Sequence, residues 1–170
     1  MQVVDSNNFP ERLFKKSDWQ TFFFEGWDVF DEFHFKKFVM LTSSLNEDTF
    51  YITNSDYSEN FYKLVKCDMH TEYKDYLRMV NDDSELTSAY NLFLFSTTLR
   101  WVVYIDTFHD LMIVGFERGI EKVVSMIFND VAYRIESREE LKDYLEKIKS
   151  VSDLNSFMDK VDSSHYQMKK

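Results

Sequence analysis

Residues Leu99 to Phe116 constrain the fold more than any other stretch. Leu-Arg-Trp-Val-Val-Tyr-Ile is followed by Asp-Thr-Phe-His-Asp and then by Leu-Met-Ile-Val-Gly-Phe. Two apolar runs of strand length, rich in β-branched and aromatic residues, flank five residues that hold two Asp, whose side chains satisfy turn backbone. The pattern predicts a β-hairpin with its turn at Asp106 to Asp110. Trp101, Val103 and Ile105 point to one face of the first strand while Val102 and Tyr104 point to the other. Neither set is polar enough for bulk water, so the hairpin belongs in mid-sheet with both faces covered.

A chain of 170 residues fits one domain, 1–170, with 1–16 and 162–170 irregular or frayed, and has the length to bury a substantial core. Seventeen Phe and ten Tyr call for a broad core or an aromatic interface. Three Gly and one Pro leave little material for phosphate-cradling loops or proline-rich linkers. Cys67 is the sole cysteine and has no intrachain partner. The opening Met-Gln-Val-Val-Asp-Ser-Asn-Asn has neither a basic region nor an apolar signal core, and both features point to a reducing cytoplasm. No apolar run approaches the roughly 20 residues that a bilayer requires, so no membrane association is expected.

The formal charge is −10. Phosphate contacts need clustered Lys and Arg, so nucleic acid is an unsuitable partner and a basic protein a suitable one. Solubility alone is a competing explanation for the excess of acids. Nine acids between Ser17 and Glu59 (Asp18, Glu25, Asp28, Asp31, Glu32, Glu47, Asp48, Asp56 and Glu59) face only Lys36 and Lys37, a local charge of −7.

Taken in order, residues 1–16 carry no pattern. From Ser17 or Asp18, the spacing of Trp19, Phe22, Phe23, Trp27 and Phe30 favours a helix, which Gly26 weakens. Phe33 to Leu41 fits a strand nearly as well. Ser43 to Asp48 reads as a loop, Thr49 to Thr53 as a strand, and Asn54 to Glu59 as a second loop. A stripe of Phe61, Tyr62, Val65, Met69, Tyr73, Tyr76, Leu77 and Val80 predicts a helix from Ser58 to Val80. Asn81 to Ser84 breaks it. Asn91 to Ser96 is a strand that leads into the hairpin. After Arg118-Gly119, helical spacing of Ile120, Val123, Val124, Ile127 and Phe128 competes with β-branched crowding. Val131 to Ile135 reads as a short strand, and Ser137-Arg-Glu-Glu140 matches a capping box that opens a helix bearing Leu141, Tyr144, Leu145 and Ile148. Leu154, Phe157, Met158 and Val161 outline a last short helix from about Asp153, capped by Ser152. The predicted class is therefore α+β, a mostly antiparallel central sheet of four to six strands packed by helices.

Chemistry-bearing constellations are sparse. Cys67 and His70, three apart on the predicted long helix, would supply two metal ligands with nothing nearby to complete a site, so no metal and no cofactor are expected. Asp106, His109 and Asp110 share the hairpin turn, where a proton relay competes with ordinary turn chemistry. Gly115 and Gly119 fit no nucleotide fingerprint. Trp19, Trp27 and the neighbouring Phe residues, interspersed with Asp28, Asp31 and Glu32, make the strongest interface candidate, the acids steering a basic partner and the rings contributing buried area. Against that, the rings would serve as core and the acids as a solvated helix face. The partner-binding set is Trp27, Asp28, Asp31, Glu32, Glu47, Asp48, Asp56, Glu59, Asp106 and His109.

Trp-Val-Val-Tyr-Ile-Asp, a short loop, Leu-Met-Ile-Val-Gly-Phe, then Ile-Glu-Lys-Val-Val and the Ser-Arg-Glu-Glu-Leu helix start resemble, over about Asn91 to Lys149, the bacterial immunity proteins that neutralise polymorphic or contact-dependent toxins. The resemblance rests on element order and implies a small acidic cytosolic α+β protein that binds one cognate toxin domain. It carries no residue role. Two other classes stay open. One is an acidic mimic of DNA that inhibits a nucleic-acid enzyme, which the bunching of acids disfavours. The other is a small enzyme using Asp106 and His109.

Overall fold

A computed structural model of the chain describes residues 19–26, 31–54, 64–82, 86, 91–107, 109–131, 133–148, 154–155 and 158–159. Seven strands are present among them: β1 (Trp19–Glu25), β2 (Thr49–Asn54), β3 (Val65–Asp68), β4 (Asn91–Ser96), β5 (Trp101–Asp106), β6 (Leu111–Glu117) and β7 (Arg134–Ile135). The helices are α1 (Glu32–Ser44), α2 (Tyr73–Asn81), α3 (Glu121–Phe128), entered through a single 3-10 turn, and α4 (Arg138–Ile148). Every strand pairing is antiparallel and the order is β3-β2-β4-β5-β6-β1-β7. The class is α+β with an antiparallel sheet.

The hairpin lies in mid-sheet as expected, with Trp101 opposite Phe116 and Asp106 opposite Leu111. All six residues of β5 are buried. Alternation divides them between two cores. Trp101, Val103 and Ile105 join Phe50, Ile52, Phe116 and the inner residues of α1, α2 and α3. Val102 and Tyr104 join Trp19, Phe23, Ile113 and, from α4, Leu141, Tyr144 and Leu145. Among the described residues, none of the buried members of the second core comes from β2 or β3. Aromatic contacts knit the first: Phe50 lies 6.4 Å from Phe35, 6.3 Å from Phe38 and 6.5 Å from Trp101, ring centroid to centroid.

Several expectations are corrected. The helix expected from Trp19 is strand β1, with Trp19 and Phe23 in one core and Phe22 and Phe24 in the other. A strand buried on both faces has no polar side to reveal its period of two, so its aromatics mimic helical spacing. Phe33 to Leu41, open between helix and strand on its sequence, is helical, part of α1, where Asp31 is the cap: its Oδ1 accepts from Phe33 N–H at 2.8 Å and from His34 N–H at 3.3 Å. The Ser58 to Val80 helix shrinks to α2, and Val65–Asp68 is a strand that alternates buried and exposed. Val65, Met69 and Tyr73 step by four, a spacing that satisfies both periods. The start of that expected helix, like most of the 54–59 loop and of the last short helix, lies outside the described residues. Of Val131 to Ile135 only Arg134–Ile135 pairs in the sheet. The capping box is half as drawn: Ser137 Oγ accepts from Glu140 N–H at 3.2 Å, but Glu140 reaches Glu136 N–H at 2.7 Å rather than that of Ser137. Among the described residues no helix is long and apolar enough to cross a membrane.

Candidate functional site

Register places Asn54 beside Leu92, Asn91 beside Asp106, and both Asp106 and Glu25 beside Leu111. The β5–β6 turn therefore shares one end of the sheet with the exit of β1, the exit of β2 and the entry to β4. That end is the candidate site.

Asp106 organises the turn. Its position on β5 aims it to the same face as Tyr104, and its side chain is 4% exposed. Oδ1 accepts from His109 N–H at 3.0 Å, Oδ2 lies 2.6 Å from His109 Nδ1, and the Tyr104 hydroxyl stands 3.4 Å from Oδ2. A short Asp at the strand end is well suited to this role because it reaches the backbone N–H three residues on. Asp110 closes the turn with φ +49°, a left-handed conformation that Asp tolerates better than most residues. Its carbonyl accepts from Gly26 N–H at 2.9 Å and from the Tyr144 hydroxyl at 2.5 Å. The hairpin tip is thus fastened to β1 and α4. Burial, followed by the nearby Asp110 carboxylate, raises the Tyr144 phenol well above its ordinary value, so it stays a donor in alkaline solution too.

Gly26 continues β1 with φ +56°, the region where glycine carries no steric penalty. A Cβ there would stand 3.7 Å from Asp110 Oδ2, an ordinary contact, so backbone conformation rather than space calls for glycine.

The structure separates the predicted partner-binding residues into three groups. Asp106 and His109 form the tip just described. Asp31 and Glu32 open α1, where Asp31 is the cap and Glu32 pairs with Lys36 at 2.7 Å. Both are exposed, so their helix roles leave carboxylate surface facing solvent. Glu47 and Asp48 lie at the other end of the sheet, just before Thr49, whose partner is Asp68. Asp48 is exposed, but Glu47 is only 6% exposed and takes a hydrogen bond on Oε1 from the Thr98 hydroxyl. Trp27, Asp28, Asp56 and Glu59 lie outside the described residues. Tyr104, Gly26, Asp110 and Tyr144 complete the tip although no partner role was read for them. Tyr104 carried a signal, since it shares a strand face with Asp106. Tyr144, 34 positions from Asp110, carried none.

Cys67 and His70 do not form the helical pair that their spacing suggested. The thiol packs in the α1–α2–α3 core, and burial, with Asp68 next to it, pushes it up to about 12. His70 is exposed beyond the end of β3, its N–H bonded to Asp68 Oδ1 at 2.8 Å. Cys67 and the Asp106–His109 pair also face opposite sides of the sheet, so they cannot act together.

No family model, no curated protein and no solved structure matches the chain. What the fold and this site define is an α+β protein with a part-buried Asp–His pair at a fastened hairpin tip and exposed acids at the start of α1.

Proposed function

We propose that the chain is a non-enzymatic binding protein of the immunity type, working in the cytoplasm, that neutralises a basic toxin domain, with a nuclease the leading candidate. The observation that carries this reading is the formal charge of −10, of which −7 falls between Ser17 and Glu59. Carboxylates in that number raise the local concentration of a cationic partner and speed its encounter. Support also comes from the rigidity of the hairpin tip, fastened by Gly26 and Tyr144, because a preformed surface loses less entropy on docking. Asp31 and Glu32 would steer; His109, 17% exposed, and Phe33, an exposed ring on α1, would contribute contact.

Co-expression tests the reading. A polymorphic-toxin gene should adjoin that of the chain, and the chain should restore growth to cells expressing its toxin domain and co-purify with that domain. Growth arrest unaffected by the chain would reject the proposal.

A second reading, proton transfer by an imidazole that a buried carboxylate orients, is favoured by the 2.6 Å contact between His109 Nδ1 and Asp106. The same contact serves turn closure. Replacing His109 with Gln, which keeps a polar side chain for contact but has no group that transfers a proton near neutral pH, separates the two: an enzyme would lose its cellular phenotype outright, whereas a binder would lose at most the share of affinity that one rim contact contributes.

A further inference from the structure

The end of α1 contains a local violation of its own sequence rule. Asn46 N–H donates to Ser43 O at 3.0 Å and Glu47 N–H to Thr42 O at 3.1 Å, while Asn46 takes φ +55°. Those two bonds with a left-handed residue between helix and exit constitute a Schellman motif, with Thr42 at C3, Asn46 at C′ and Glu47 at C″. The C″ side chain of that motif commonly makes an apolar contact back to the last turn. Here the position holds a carboxylate that is 6% exposed.

The carboxylate is also incompletely satisfied. Thr98 donates to Oε1, but Oε2 is buried with no hydrogen-bond partner among the described residues. Its surroundings are electronegative: the carbonyl end of α1 is the negative pole of the helix dipole, α1 has no basic residue in its last turn, and Asp48 follows immediately. A buried anion in that setting weakens the fold unless a cation reaches it. Thr98, whose hydroxyl meets one of the carboxylate oxygens, is exposed, as are its neighbour Thr97 and the residues on either side of Glu47, Asn46 and Asp48. Local rules are broken in this way where a residue serves something other than stability.

We propose that Glu47 is a cation receptor, a carboxylate held desolvated by the α1–β2 and β4–β5 turns whose counterion is a primary ammonium group, a lysine side chain, on the basic partner. The inference rests on the proposed function for the existence of that partner. It adds a second contact at the end of the sheet opposite the hairpin tip. The lysine Nζ would take Oε2, leaving the Thr98 hydroxyl on Oε1, and the adjacent exposed Asp48 would add to the attraction.

The test uses the free chain with butylammonium as the lysine analogue, so it does not depend on the toxin assignment. Glu47→Gln removes the charge and supplies an amide that can donate to the α1 carbonyls; Glu47→Leu restores the apolar C″ residue. Both variants should melt about 2–4 °C above the native chain, a shift typical of one modest interaction in a protein of this size. In the native chain, butylammonium should shift the amide resonances of Asn46, Glu47 and Thr98 saturably beyond sodium chloride of equal ionic strength. In Glu47→Gln that saturable component should vanish. Lower melting temperatures for both variants would assign Glu47 to stability and overturn the receptor. So would shifts reproduced by sodium, which would mark a simple ion site, or shifts that persist in Glu47→Gln. None of these results bears on whether the chain protects against a toxin.

Discussion

Replacing Asp106 with Ala tests whether the hairpin tip is held together as its geometry indicates. The substitution removes two short contacts, one from His109 N–H at 3.0 Å and one with His109 Nδ1 at 2.6 Å, together with a long one from Tyr104 at 3.4 Å. A hydrogen bond to a charged group contributes about 1.5–3 kcal/mol, and relief from burying a carboxylate offsets part of the sum. The expected net loss is about 2–3 kcal/mol, or about 5–10 °C in melting temperature for a chain of this length. Urea unfolding followed by circular dichroism measures it, with an unchanged slope showing that the fold is otherwise retained. Asp106→Asn keeps an oxygen for the His109 N–H and should lose less than Ala. If both variants stayed within about 0.5 kcal/mol of the native chain, the typical scatter of surface substitutions, Asp106 would not organise the tip.

Three further outcomes are expected. Gly26→Ala should cost about 1–2 kcal/mol in the same assay, the usual penalty of a left-handed conformation for a residue with a Cβ, because φ is +56° there and space is adequate. With its thiol near 12, Cys67 should react with iodoacetamide at pH 8 on the order of a thousandfold more slowly in the folded chain than in urea; equal rates would contradict its burial. Lys37 bonds to Asp130 and stands 4.7 Å from the Phe33 ring centre, strapping α1 to the turn after α3. The Lys37 hydrogen bond holds the Asp130 carboxyl below its ordinary 3.8. A lowered carboxylate stabilises the fold above its unfolded value and loses that contribution as pH falls through its folded value. The native chain should therefore lose stability below about pH 4 more steeply than Asp130→Asn, as read from melting curves across pH.

Legibility followed the visibility of the period. Val102 and Tyr104 against Trp101, Val103 and Ile105 could be read directly, because a hairpin flanked by Asp106 and Asp110 announces both its strands and its turn. β1 could not, since Trp19, Phe22, Phe23 and Phe24 are all buried and no polar face marks the alternation. β3 was hidden by steps of four at Val65, Met69 and Tyr73 that suit either structure. Asp31 as cap of α1 follows from its type, yet a cap is recognised only once the helix after it is. At the site, Asp106 and His109 were legible through sequence proximity. The fastening by Tyr144 is a long-range contact, and the burial of Glu47 depends on Thr98, 51 positions away. Such pairings are set by sheet order, which no local pattern encodes.

The central claim is that the surplus of carboxylates draws in a cationic protein. Stopped-flow association of the chain with the basic toxin domain proposed as its partner, across a salt series from about 25 to 300 mM where the screening length falls to several ångströms, tests it most directly. The account predicts a rate that drops by about tenfold or more over that range, with a smaller drop when Asp31 and Glu32 are replaced by Asn and Gln. A rate independent of salt would contradict it.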